Sequence, residues 1–163
     1  MNSVHGHATP LGQIRIGDNG TAVTYVEFRT GGIPFPEGME ERETPLQREA
    51  LHQILEYLKG ERRRFDLPLA PAGTPFQRAA WDALLAIPYG ETRSYKQQAE
   101  AVGSPKAFRA VGLANNKNPI AVIIPCHRVI GANGSLVGYG GGLAIKKKLL
   151  ELEYSVSRQG SLL

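Results

Sequence analysis

Residues 94–114 read SYKQQAEAVGSPKAFRAVGLA. The stretch predicts two short helices and a turn. The first covers 94–102, with Ala99 and Val102 facing inward. Gly103 supplies the turn. Ser104 then offers a cap and Pro105 a first helical position, and Ala107, Ala110, Val111 and Ala114 form the buried face of the second helix. This is a helix-turn-helix pattern. On the exposed side of the second helix only Phe108, Arg109 and Leu113 are large. Small side chains let a helix backbone approach a narrow groove closely, and Arg109 projects from that surface, able to enter a base stack. Arg93, Lys96 and Lys106 can meet phosphates, contacts that fix position without reading sequence. An ordinary helical hairpin with one surface arginine gives the same pattern.

Downstream, Asn118-Pro119 leads into an apolar run, residues 120–124, and then into Pro125-Cys126-His127-Arg128-Val129-Ile130. The run predicts a buried strand or core segment, and Pro125 forces a change of direction and removes a backbone donor. Cys126 therefore stands where a buried segment turns. A lone cysteine is most often a small core hydrophobe. As a nucleophile it must be a thiolate, which needs a nearby base or positive field. His127 and Arg128 are adjacent in sequence, but neighbours in an extended segment point to opposite faces. A water or a local turn is needed to join His127 to the sulfur. A carboxylate to orient the imidazole is available at Glu151 or Glu153, at the end of a helix predicted over 143–153. Between cysteine and helix, residues 131–142 are rich in glycine. Asn133-Gly134 signals a hairpin, and the later glycines permit close approach to a flat ligand. They lack the dinucleotide fingerprint and the phosphate-loop lysine. Lys146-Lys147-Lys148 fan over different helix faces, so at least one is read as solvated. From Ser155 the chain reads as a frayed end.

Upstream of the helix pair, Thr74-Pro75 opens a helix whose apolar face carries Phe76, Ala79, Ala80, Ala83 and Leu84, widened by Trp81 and Leu85. Pro68, Pro71 and Gly73 mark a linker near residue 70. Before it lies a small α+β unit. Residues 9–16 and 21–28 read as strands joined at Asp18-Asn19-Gly20. A loop with Gly31, Gly32, Pro34 and Pro36 follows, then an acidic stretch over 37–43 read as solvated surface. Thr44 and Pro45 start a helix with Leu46, Ala50, Leu51, Ile54, Leu55 and Leu58 in one stripe. Residues 65–69 are a further candidate strand.

The chain has 163 residues, 42% apolar and 21% charged, which fits one globular domain or two small ones. Its single cysteine excludes an intrachain disulfide and argues against a cysteine zinc site. No apolar run approaches the roughly 20 residues of a membrane span, and MNSVHGHATP lacks the features of a secretory signal. A reducing cytoplasm is the expected setting. Residues 1–72 hold 8 Lys+Arg against 10 Asp+Glu, a net of −2, whereas residues 73–163 hold 11 against 5, a net of +6. A polyanion should prefer the C-terminal part.

TPFQRAAW, IPYGETRSY, RAVGLANNKNP, IPCHRVIG and GYGGGLAIKKKLLELE follow in an order and spacing that resembles the O6-alkylguanine-DNA alkyltransferases, also called methylated-DNA–protein-cysteine methyltransferases. The strong match runs over 74–153. The resemblance implies an α+β fold with a ribonuclease-H-like α/β domain over 1–70, a mainly helical domain with a helix-turn-helix over 73–155, and a tail over 156–163. It implies direct, stoichiometric transfer of an alkyl group from O6 of guanine in double-stranded DNA to the protein's own cysteine, with self-inactivation and with no metal or cofactor. The recognition helix would enter the minor groove. Arg109 matches the arginine that fills the gap of a flipped base, and Tyr95 the tyrosine that rotates the target phosphate and donates a hydrogen bond to guanine. Lys96 and Ser104 match DNA contacts, and Asn118 the hinge asparagine. Cys126 matches the alkyl acceptor, with His127 and Glu153 as its activating relay through a bound water. The expected state is a monomer, with cooperative loading along DNA left open. Ala121 and Gly140 stand where certain members carry proline and serine near the guanine pocket, and Val137 where some carry glycine.

The chemistry accounts for these parts. The alkyl carbon is out of reach inside a duplex, so the nucleotide must be extruded. The product thioether is not cleaved by water, so each molecule acts once. Three other readings remain: a non-catalytic lesion-binding relative, in which the acceptor cysteine is replaced; a thiol hydrolase using Cys126 and His127; and a transcription factor, which leaves the cysteine segment unexplained.

Overall fold

A computed structural model describes residues 2–28, 37–134 and 142–161. It is a mixed α+β molecule that divides into two compact units. The first comprises Met1–Ala72 with Pro119–Ile123, and the second comprises Gly73–Asn118 with Ile124–Leu163.

In the first unit, β1 (Ser3–Thr9), β2 (Gly12–Asp18), β3 (Val23–Phe28) and β4 (Glu40–Glu41) form a sheet of order β3-β2-β1-β4. The β1/β2 and β2/β3 pairs are antiparallel and β1/β4 is parallel. Registers Ile14↔Phe28 and Ile16↔Val26 put four buried apolar side chains on one face. The helix α1 (Pro45–Leu58) packs on this sheet through Ala50, Ile54 and Tyr57. Each large side chain so buried contributes roughly 1.5–3 kcal/mol. Thr44 caps α1, and Asp18, 1% exposed, accepts from the Thr44 hydroxyl at 2.7 Å and the Gln47 amide at 3.0 Å. One carboxylate thus ties the Asn-Gly turn to the start of the helix.

Three sequence expectations change here. The strand predicted over 9–16 is two strands, because Thr9–Gly12 is a turn closed by the Thr9 hydroxyl donating to the Gly12 carbonyl at 2.7 Å. SVHGHAT is too polar to show alternation, yet Ser3, Val4 and His7 are all buried. Residues 65–69 form no strand. Only Leu69 bridges to Val23, because Pro68 contributes a carbonyl but has no N–H to extend the ladder. On α1 the leucines are half-buried, whereas Gln47 and Gln53 face inward. Gln53 exchanges bonds with the backbone of Asp66, and the Gln47 amide nitrogen donates to Asp18 and the Arg42 carbonyl. The loop residues Gly31, Gly32, Pro34 and Pro36 lie outside the described residues.

Pro119–Ile123, assigned by sequence to the second domain, adds to the edge of β3. Val26 donates to the Pro119 carbonyl and accepts from Ala121. The run then turns instead of continuing as a strand. Val122 has φ of 71° inside an Ala121-to-Ile123 bond of 2.8 Å, the strained γ-turn arrangement that a β-branched residue rarely adopts.

In the second unit, α2 (Pro75–Leu85), α3 (Tyr95–Val102) and α4 (Phe108–Asn116) pack around Ala80, Ala99, Val111 and Ala114. Both α2 and α3 start with complete capping boxes, Thr74 with Gln77 and Ser94 with Gln97. The Trp81 indole donates to the Ala114 carbonyl at 2.9 Å. Gln98 and Asn115 exchange amide bonds at 2.8 Å each, and Gln98 also donates to the Ala80 carbonyl. On α2, Ala79 and Leu85 are exposed, since the buried stripe centres on Ala80, Trp81 and Leu84.

Gly103, at φ 87°, ends α3 as expected. The next helix begins later than the sequence predicts. Ser104 and Pro105 form a turn closed by Ala107 N–H donating to the Ser104 carbonyl at 2.8 Å, and α4 starts at Phe108 with no side-chain cap. Proline suits the second position of such a turn as well as it suits a helix start. The shift turns Ala110 outward, leaving Val111, Ala114 and Asn115 as the buried face.

The last helix, α5 (Leu143–Ser161), runs past Ser155, where the sequence predicts fraying and, over 156–163, a tail. The Ser157 hydroxyl bonds the Glu153 carbonyl at 2.7 Å, and Val156 is half-buried. No described helix is long and apolar enough to cross a membrane.

Candidate active site

All the residues below lie in the second unit. The backbone turns sharply at Pro125, whose φ of −81° and ψ of 64° with a 2.8 Å bond from Cys126 N–H to the Ile124 carbonyl make an inverse γ-turn. A single 3-10 turn, Cys126–Arg128, follows and enters β6 (Val129–Ile130). β6 pairs in parallel with β5 (Arg93–Ser94), through Arg93↔Val129 and Ser94↔Ile130. This pairing sets the start of α3, and so Tyr95, beside the cysteine turn.

The 3-10 turn buries three consecutive side chains, Cys126 at 8%, His127 at 0% and Arg128 at 7% exposure. His127 Nε2 lies 2.6 Å from Glu153 Oε2. Arg128 straddles the same carboxylate, Nε to Oε1 at 2.8 Å and Nη2 to Oε2 at 3.2 Å, and its Nη1 donates to the Ile87 carbonyl at 2.7 Å. Gly90 N–H adds a bond to Glu153 Oε1 at 3.1 Å. Gly90 has φ 81°, and a Cβ there would lie 2.7 Å from the Ser157 hydroxyl, so only glycine presents that N–H. Between the two carboxylates offered by the sequence the structure decides: Glu151 is exposed and paired with Lys147, whereas Glu153 is 1% exposed.

Burial by itself would raise the Glu153 carboxyl. The hydrogen bond and charge of His127, then those of Arg128, outweigh it and hold the group at about 2. Burial lowers His127; Glu153 opposes this, and the Arg128 and Lys146 charges reinforce it. The resting site is therefore an ionised Glu153 and a neutral imidazole that donates through Nε2, which fixes the tautomer and leaves Nδ1 as the basic nitrogen.

Burial pushes the Cys126 thiol up, while a hydrogen bond from Asn118 and the charge of Lys146 pull it down. Asn118, just beyond α4, also donates to the Ile124 carbonyl at 2.9 Å, and so joins both sides of the Pro125 turn. Tyr95, first in α3, is half-buried with its ring over Gly112. Burial, then the charge of Cys126, raises its phenol, so it remains a donor at neutral pH.

The residues expected to meet DNA form a separate, exposed set. Lys96 sits in the first turn of α3, Ser104 in the turn after Gly103, and Arg109 in the first turn of α4. The Arg109 guanidinium lies 5.9 Å from the Phe108 ring centroid, and Phe108 and Leu113 are 45% and 65% exposed. None of these side chains belongs to the buried cluster of Cys126, His127, Arg128 and Glu153.

Sequence reasoning missed two things. Arg128 received no role beyond proximity, although it is the cation that binds Glu153. Lys146, from a run read as partly solvated, is 1% exposed, and its Nζ donates to the Val129 carbonyl at 2.7 Å. The signal was the spacing of Lys146, Leu149 and Glu153, one face of α5. Among the described residues no group of three or more His, Cys, Asp or Glu side chains is placed to hold a metal ion. Residues 135–141, with the glycine-rich loop, Val137 and Gly140, lie outside the described residues.

With this geometry established, comparison with known proteins gives concordant results. Residues 75–155 match the family model described as 6-O-methylguanine DNA methyltransferase, DNA binding domain. A methylated-DNA–protein-cysteine methyltransferase of Methanosarcina acetivorans is 52% identical over 149 residues, covering 90% of this chain and 95% of its own. The constitutive enzyme of that name from Bacillus subtilis is 46% identical over 158 residues, covering 94% and 96%. The Mycobacterium tuberculosis OGT solved in complex with DNA superposes with a TM-score of 0.81 at 45% identity, covering 94% of each chain. Identity of this degree across nearly the whole length means that the chain belongs to the methylated-DNA–protein-cysteine methyltransferase family.

Proposed function

We propose that the chain repairs DNA by moving an alkyl group from O6 of guanine to Cys126, once per molecule. The observation that carries this reading is the sulfur set at a sharp turn, hydrogen-bonded by Asn118, next to a neutral His127 oriented by ionised Glu153. His127 accepts the thiol proton through a water at Nδ1, the ring nitrogen not engaged by Glu153. The thiolate attacks the alkyl carbon, an S–C bond forms, and the C–O6 bond breaks with its electron pair passing to guanine. Guanine takes up one proton, matching the one the thiol gave up. Tyr95, held protonated and near the sulfur, is the donor that assists the leaving base. The thioether has no charge and no route back to the thiol. No step calls for a metal or organic cofactor.

DNA engagement follows from the second surface. We read α3, Gly103 and α4 as a helix-turn-helix, with α4 laid in the minor groove of duplex DNA. Arg109 fills the space of the extruded nucleotide, while Lys96 and Ser104 hold the backbone. The N-terminal unit is read as ribonuclease-H-like, and the protein as a monomer on DNA. A thiol that must stay reduced supports a cytoplasmic setting.

The test is mass spectrometry after incubation with a duplex carrying O6-methylguanine. One methyl mass on the peptide containing Cys126, absent in Cys126→Ala, is expected. A methyl recovered on any other residue, or transfer undiminished in Cys126→Ala, overturns the assignment.

A further inference from the structure

The solvent side of α4 is not polar. Its exposed residues are Phe108, Arg109, Ala110, Leu113 and Asn116, so three of the five are apolar and one is charged. A surface helix normally turns charged and polar residues outward. Phe108 and Leu113, at 45% and 65% exposure, are two of the five large apolar side chains left open among the described residues. The surroundings are cationic. Lys106 precedes the helix, Lys117 follows it and Lys96 stands on α3, all three exposed. An apolar strip framed by cations fits a polyanion with an apolar interior, and DNA, with its bases inside a phosphate frame, has that composition. The DNA-binding family model matched over 75–155 covers the whole of α4.

Within this strip Phe108 holds a particular place. Successive helical residues turn by about 100°, so Phe108 and Gly112 share one flank of α4, and Arg109 and Leu113 share the next. The Tyr95 ring covers Gly112, with two carbons 3.6 and 3.7 Å from where a Cβ would stand. The β5–β6 pairing sets Tyr95 beside the cysteine turn. Phe108 therefore stands one helical turn before Tyr95, on the flank of α4 that leads toward Cys126. Arg109 is at its side, the guanidinium 5.9 Å from the ring centroid. We infer that Phe108 is an apolar wedge: its ring stacks on the base that loses its neighbour when the target nucleotide leaves the duplex. The inference rests on α4 lying against DNA with Arg109 in the vacated place, and adds the residue that covers the bared base. A guanidinium brings charge and donors to the gap. A benzyl ring adds a flat apolar face with few torsions to order. Apolar side chains inserted between base steps are a general device of minor-groove proteins. Stacking on an aromatic ring tolerates any base, which suits a protein that must open the duplex wherever a lesion lies.

The test needs no chemistry at the sulfur. Equilibrium binding of the full chain is followed by fluorescence anisotropy on two duplexes of one sequence. One is intact, and the other carries an abasic analogue at the target position, so that its gap is already open. The parent should prefer the abasic duplex. Phe108→Ala should lose at least about fivefold in affinity for the abasic duplex and stay within about twofold on the intact one. Phe108→Trp, with a larger flat face, should keep the parent's preference, and Phe108→Leu, apolar but without a ring, should follow Phe108→Ala. Phe108 is exposed and alanine is a good helix former, so an unchanged far-ultraviolet spectrum is expected. The inference is overturned by a parent that does not distinguish the duplexes, by Phe108→Ala keeping the preference or weakening equally on both, or by Phe108→Leu binding as the parent does. Arg109→Ala, measured alongside, separates this inference from the reading beneath it. Loss of the abasic preference in Arg109→Ala but not in Phe108→Ala removes the wedge and leaves the α4 interface standing, whereas no effect of either removes both. Because neither duplex carries an alkyl group, failure here is distinct from failure of the repair reading, which shows as an unmethylated Cys126 after incubation with lesion DNA.

Discussion

Glu153 lies 1% exposed between Gly90, His127 and Arg128, and its low pKa makes the site a source of stability that depends on pH. Unfolded, the carboxyl titrates near 4.5; folded, it is held at about 2. Its contribution, about 3 kcal/mol, is complete above the unfolded value and is lost as pH falls toward 2. His127 acts with the same sign, because burial lowers it from 6.5 and the folded site resists a proton that the unfolded chain accepts. Thermal melts should therefore show stability falling below about pH 6.5 and more steeply below about pH 4.5. Glu153→Gln leaves Arg128 buried without its anion, so it should cost about 3–5 kcal/mol at neutral pH and remove the steep lower limb. An unchanged lower limb in that variant would contradict the ion-pair account. Cys126 and His127 were legible as residues because the cysteine is the only one and its neighbours are chemically loaded. Glu153 was singled out from Glu151 only through the resemblance; spacing left both open, since the choice depends on the phase of α5 against the 3-10 turn.

At the scale of elements, the α2–α3–α4 cluster has a core of small residues, Ala80, Ala99, Val111 and Ala114, which buries little area. Polar bonds supply the register instead. Gln98 joins all three helices through Asn115 and the Ala80 carbonyl. Gln98→Leu leaves a buried amide and a carbonyl unpaired, so a loss of about 2–3 kcal/mol in denaturant unfolding is expected. A loss under about 0.5 kcal/mol would show that the pair is dispensable. Helix starts were legible where a cap meets proline, at α1 and α2. The same Ser-Pro signal misplaced the start of α4, because a turn and a helix open with identical backbone at proline. β1 was hidden for a different reason. Its inward histidine and serine carry no hydrophobic signal, and only pairing with β2 reveals the strand.

Across the whole molecule, charge separates along the chain, with a net −2 over residues 1–72 and +6 over 73–163. Duplex DNA should therefore bind through the second unit and release counterions. With Arg93, Lys96 and Lys106 meeting phosphates, affinity should fall about 40-fold from about 50 to about 200 mM salt. Lys96→Ala should flatten that dependence by about one unit of slope, whereas a slope unchanged in Lys96→Ala removes this residue from the interface. Arg109→Ala should keep most of the affinity for undamaged duplex and slow repair, if Arg109 fills the gap of the extruded nucleotide as proposed. The charge asymmetry was visible in sequence. The transfer of Pro119–Ile123 to the first unit was not, because it depends on two backbone bonds to Val26.

The central claim is that one sulfur accepts one alkyl group and the molecule is then spent. A duplex carrying O6-methylguanine, supplied in several-fold excess over freshly reduced protein, measures it directly. The repaired guanine should rise to a plateau equal to the protein added and stay there on prolonged incubation. Continued turnover beyond that plateau, or lesions left intact while the thiol remains free, would contradict the account.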